Sequence, residues 1–165
     1  MELDKNFEEK VNAALAELLE MGYEFVPFEK VRSPYKQGEI WRRSRTTAEV
    51  QDKIKKLKAA ECHFLAECIE SVGPQTGKWG TNAIPGLSWH QFGLAVDCYY
   101  KKDGKANWDD IKAYKVYRRV MLKHGLHRGP RTDWVHIQAP KESGPHKLYT
   151  LQAINEMLEN MYKNQ

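Results

Sequence analysis

The chain has 165 residues, 41% of them hydrophobic and 29% charged, with a formal net charge of +4. That length suits a single domain over 1–165 with a real core, and the ordinary composition excludes a disordered or fibrous protein. No apolar run approaches the ~20 residues that span a bilayer, so no membrane insertion is expected.

The opening stretch MELDKNFEEKVNAALAELLE is acidic and amphipathic. It lacks the basic start, apolar block and small-residue cleavage site of a signal peptide, so the expectation is synthesis in the cytoplasm without export by the general route. Cys62, Cys68 and Cys98 are odd in number and have no CxxC spacing, which argues against a disulfide framework and a cysteine-only zinc site.

In chain order, residues 3–21 predict a helix, because Phe7, Val11, Leu15, Leu18 and Leu19 recur at helical spacing and Gly22 follows. Residues 23–32 look extended, and Pro27 makes the run an edge or bulged strand. Ser33-Pro34 opens a short helix through about Arg43, with serine as cap and proline in the first turn. A longer helix is expected over 47–71, ending near Gly73-Pro74. Residues 72–87, rich in Gly and Pro, read as a loop. GLAVDCYY, 93–100, reads as a strand, with Asp103-Gly104 turning the chain. A second amphipathic helix covers 108–124, a short strand 133–138, and a C-terminal helix 147–163. Few strands among many helices argue an α+β fold: a small antiparallel sheet with surrounding helices.

The chemistry concentrates around SWHQFGLAVD. Alternation along the strand puts Ala95, Asp97 and Tyr99 on one face and Leu94, Val96 and Cys98 on the other. An aspartate in so apolar a strand is expensive to bury unless it is paired or binds a metal. His90 precedes the strand, and Gly93 permits the turn that returns its ring toward Asp97. A catalytic zinc takes three protein ligands and keeps one position open. DWVHIQ offers the third in His136. Asp133, three residues earlier, reaches the same centre if the chain bends at the strand entrance, and a carboxylate there suits a general base.

These residues resemble a family. SWHQFGLAVD matches the pattern SxHxxGxAxD of the zinc peptidases that include D-Ala-D-Ala carboxypeptidases, D-Ala-D-Ala dipeptidases and phage L-alanyl-D-glutamate endolysins (peptidase family M15). DWVHIQ is similar to that family's second zinc motif. VRSPYKQGEIWRRSRT resembles its upstream block through Arg32, Ser33, Gln37, Arg45 and Thr46. The three blocks stand in family order over 32–138. The resemblance implies one Zn2+ per chain in a cleft on the sheet, held by His90, Asp97 and His136. It implies Asp133 as catalytic base and Arg32 as the arginine that meets an oxyanion or substrate carboxylate. Gln37 is implied beside it, and Ser88 and Trp89 as substrate contacts.

Aspartate rather than glutamate in the second motif is similar to the endolysin branch, which cuts between L-Ala and D-Glu of the peptidoglycan stem peptide. A D-Ala-D-Ala carboxypeptidase is the alternative, and a non-catalytic zinc-containing wall-binding module the second. The partner expected is the stem peptide, met by a monomer on the cell wall after release during host lysis. The segment 46–87 reads as an insertion. Nucleic acid is not expected: KIKKLK and RRSR lie on amphipathic helices as solvated faces, without the aromatic–basic pattern of a nucleic-acid module. His124 is expected to end its helix beside Gly125, where a cation suits the dipole. His63 and His146 read as structural or solvated.

Overall fold

The computed structural model describes residues 2–163. Its elements, in chain order, are α1 (Lys5–Glu20), β1 (Glu24–Glu29), α2 (Pro34–Arg42), α3 (Thr47–Ala59), α4 (His63–Glu70), β2 (Ala95–Lys102), β3 (Lys105–Asn107), α5 (Ile111–Lys123), β4 (His127–Arg128), β5 (His136–Gln138) and α6 (Leu151–Lys163). Two compact units form: Glu2–Val31 with Phe92–Ser143, and Arg32–Gln91 with the segment from Gly144 onward. Among the described residues, no helix is long and apolar enough to cross a membrane.

The first unit carries the sheet. Its strand order is β1-β2-β5-β4, with β3 also on β2, and every pairing is antiparallel. This is the expected α+β arrangement. The inner face of β2 presents Val96, Cys98 and Tyr100, joined by Ile137 of β5, to Phe7, Val11 and Leu18 of α1 and Tyr114, Tyr117 and Met121 of α5. Phe25 of β1 stacks on Tyr117 with centroids 4.5 Å apart. Asp97 therefore lies on the opposite face. The bulge between Pro27 and Glu29 agrees with the proline there. Asp4 caps α1 by accepting from the Phe7 N–H at 2.9 Å.

Gly93 is required at the entrance to β2. Its φ is +68°, and a Cβ there would meet the Glu2 carbonyl oxygen at 2.6 Å. Its own carbonyl accepts from the Asp4 N–H at 3.0 Å, so the N-terminal segment closes directly over it.

The second unit is helical. Ser33 caps α2, and Thr46 and Glu49 form a capping box on α3. Gly38 of α2 lies against the Cys68 carbonyl of α4, where a Cβ would approach to 2.0 Å. The single helix expected over 47–71 is two helices. The chain breaks at Glu61, whose φ is +57°, and the Cys62 N–H returns to the Leu57 carbonyl at 2.9 Å. Cys62 provides no side-chain cap for α4; Asn155 of α6 accepts from the Leu65 N–H at 3.1 Å instead. A tertiary cap of this kind leaves no local mark in the sequence.

Further boundaries differ: α5 begins at Ile111 and α6 at Leu151, later than the expected 108 and 147. Asp103 and Gly104, both at positive φ, make a tight hairpin from β2 into β3, a strand the sequence reading lacks. β4 is likewise additional. β5 begins at His136, so Asp133 lies in the turn before it. The cysteines are free and buried.

Candidate metal centre

Strand register builds the centre. Asp97 of β2 stands directly opposite His136 of β5. Facing residues of an antiparallel pair share one side of the sheet with Cβ atoms about 5 Å apart. The two side chains consequently meet, with His136 Nδ1 3.0 Å from Asp97 Oδ1. His90 sits on the 3₁₀ turn Trp89–Phe92 just before β2. His90, Asp97 and His136 are 1%, 7% and 8% exposed. Each offers one ligand atom, and the three atoms lie within 4.8 Å of one another. Two imidazoles and one carboxylate are the donor set of a catalytic zinc site. A buried carboxylate beside two buried imidazoles is otherwise costly to form, so the residues fit the ion.

The orientation of His136 is determined around its ring. Nε2 is 3.1 Å from Gln138 Oε1. The Gln138 amide nitrogen donates to the carbonyls of Pro140 at 2.8 Å and Glu142 at 2.7 Å, which leaves the amide oxygen facing the imidazole. An acceptor there holds a proton on Nε2, so Nδ1, which donates to Asp97 when His136 is protonated, is the nitrogen left to bind a metal once it gives up that proton. Gly129 lies against the same ring, where an added Cβ would be 2.3 Å from His136 Cδ2. Burial opposes a charge on His136, but the Asp97 hydrogen bond, the Asp97 and Asp133 charges and Gln138 outweigh it. The net shift is upward from 6.5.

The turn carrying Asp133 is fixed by α5. The Arg118 guanidinium donates to the Asp133 carbonyl and, at 3.2 Å, to the Arg131 carbonyl, and lies 4.1 Å over the Trp134 ring. The Asp133 N–H closes the turn onto the Pro130 carbonyl at 3.1 Å. Arg118 and Gln138 are positioning residues that the sequence reading missed. The traces they leave are slight. Arg118 falls four residues after buried Tyr114 on the inward stripe of α5, and Gln138 falls two after His136 on the same strand face.

The other expected site residues belong to the helical unit, together with His90. The Arg32 N–H donates to the His90 carbonyl at 3.2 Å. Its Nη1 donates to Gln37 Oε1 at 2.9 Å, and fully buried Gln37 donates to the Ala83 carbonyl at 2.7 Å. Gln37 thus anchors the Arg32 fork. Ser88 is half-buried and Trp89 is buried at 3% exposure. Arg45 is held between the rings of Trp41 and Trp79 at 4.2 and 4.0 Å, a packing role.

Residues 1–133 match the family model of VanY, D-alanyl-D-alanine carboxypeptidase. The chain belongs to the VanY family. The family is one of carboxypeptidases, so the expected class of enzyme is met. No curated protein matches the chain. Among solved structures, the chain is similar to a vancomycin-resistance D,D-pentapeptidase VanY variant in complex with Zn(II), at 18% identity, covering 93% of this chain and 78% of that one, with TM-score 0.50. It is also similar to the LdcB LD-carboxypeptidase, at 19% identity, covering 98% and 68%, with TM-score 0.51. At these identities the likeness is one of fold.

Proposed function

We propose that the chain is a zinc-dependent hydrolase of the peptidoglycan stem peptide, acting as an L-alanyl-D-glutamate endopeptidase of the endolysin type. The observation that carries the metallopeptidase reading is the buried cluster of His90, Asp97 and His136. The structure of the VanY variant similar in fold holds Zn(II). Zinc in this position supplies Lewis-acid polarisation of the scissile carbonyl and an acidified water. Asp133 takes a proton from the attacking water and returns it to the leaving amine. Arg32, its fork anchored by Gln37, meets the substrate carboxylate or the developing oxyanion. Ser88 and Trp89 border the substrate. The working unit is a monomer with one zinc, acting on the cell wall after release from the cytoplasm, and nucleic acid is not its partner.

Aspartate at 133 supports the endopeptidase reading. The family match supports a second one, D-Ala-D-Ala carboxypeptidase. Digestion of defined muropeptides, followed by mass spectrometry of the products, separates them. New D-Glu amino termini that disappear in Asp133→Asn support the endopeptidase. Release of terminal D-Ala alone establishes the carboxypeptidase. A zinc-loaded chain that cleaves neither bond overturns both and leaves a wall-binding module.

A further inference from the structure

The sheet-bearing unit contains a cavity of about 580 Å³ on the side of α5 and β4, unused by the chemistry above. Arg118, Arg119, His127, Arg128, Arg131 and Lys141 line it, and no carboxylate does. Five of these six side chains are permanently charged, whereas the whole chain carries a net +4. Eight cations outside it, Lys30, Lys36, Arg43, Lys56, Lys58, Lys101, Lys123 and Lys163, have a carboxylate partner. Among the described residues, Arg119, Arg128, Arg131 and Lys141 have none. Arg118 is immobilised by backbone carbonyls and stays in the wall. Burial, then the neighbouring Arg128 charge, work against its protonated form, and the Asp133 charge offsets them only in part.

We infer that this cavity is a second binding site, for phosphate groups of a phosphodiester-linked wall polymer. Guanidinium forks match phosphate oxygens in geometry, and a chain with one charge per repeating unit can neutralise several cations where a single carboxylate neutralises one. A nucleic acid has the same backbone chemistry, but no Phe, Tyr or Trp lines the cavity to stack a base. Gly129, which lines the cavity, also lies against the His136 ring, so a polymer held here is held beside the peptidase centre. The wall as the source of the phosphate rests on the proposed function.

The test is direct binding by calorimetry to the zinc-loaded full chain, without turnover, so failure of hydrolysis and failure of anion capture are separate results. The probes are a glycerol-phosphate oligomer, inorganic phosphate, succinate and a single-stranded DNA oligomer of equal charge. The expected order is glycerol-phosphate oligomer tighter than inorganic phosphate, with succinate and DNA weaker than the oligomer. Arg128→Ala and Arg131→Ala each weaken oligomer binding about tenfold, and Lys141→Ala weakens it too. All three side chains are exposed, and circular dichroism checks the fold of each variant. Absence of oligomer binding, binding indifferent to all three substitutions, or DNA or succinate binding as tightly as the oligomer overturns the proposal.

Discussion

In the sheet-bearing unit, His136 Nδ1 lies 3.0 Å from Asp97 Oδ1 across β2 and β5, and His124 Nε2 lies 2.8 Å from Glu17 Oε2 between α5 and α1. The contacts look alike, yet their surroundings differ. Asp97 and His136 side chains are each 10% exposed, and the remaining ring nitrogen of His136 is held by Gln138. Glu17 and His124 are 28% and 24% exposed, and Glu17 also accepts from Lys123. His124 ends α5, where a positive charge complements the helix dipole, and its pair clamps two helices. A histidine–carboxylate contact becomes a metal-binding arrangement only when burial excludes water, further ligands converge and the second nitrogen is committed.

Asp97→Ala breaks that comparison most strongly. It removes a ligand and leaves His136 buried without its partner, so metal affinity falls by more than about a hundredfold, a cost of roughly 3 kcal/mol or more. Glu17→Ala leaves affinity unchanged. Competition with a chromophoric chelator reads both. Gln138→Leu tests the committed nitrogen. Loss of such an outer partner lowers metal affinity about 10–100-fold, with the three ligands intact. Gly129→Ala tests the packing behind the ring. Its Cβ would displace an imidazole pinned on both sides, an overpacking cost of about 1–3 kcal/mol visible in thermal melts and in weaker metal binding.

The smallest effects are in pH, and they run in opposite directions. In the metal-free chain His136 is raised above 6.5. Its contribution to stability is complete below that value and fades as pH rises through the higher folded pKa. Glu17 is lowered below 4.5, by the hydrogen bonds from Lys123 and His124. Its contribution is present above 4.5 and fades as pH falls through the lower folded pKa. Melting temperature against pH should lose its alkaline slope in Asp97→Asn and its acid slope in Glu17→Gln. A shared slope lost in both variants would erase the distinction.

Much of this arrangement is legible in the chain alone. The stripes of α1 and α5 follow from period 3.6, and alternation separates Asp97 from Val96 and Cys98. His90, Asp97 and His136 stand in motifs whose spacing survives folding. The pairing that joins Asp97 to His136 does not show in either segment, because register is a relation between strands distant in sequence. β3 and β4, with three and two residues, are too short for any period to register. The break at Glu61 has no glycine or proline to mark it, and the cap that makes it tolerable comes from Asn155. Arg118 and Gln138 act through carbonyls and a neighbouring ring, contacts made only once the turn before β5 has formed.

Anomalous diffraction at the zinc absorption edge, from crystals grown with zinc, tests the central claim most directly. One peak bonded to His90, to Asp97 and to Nδ1 of His136, about 2.0–2.2 Å from each ligand atom, is the predicted result. A peak on other residues, no peak, or coordination through Nε2 of His136 would contradict it.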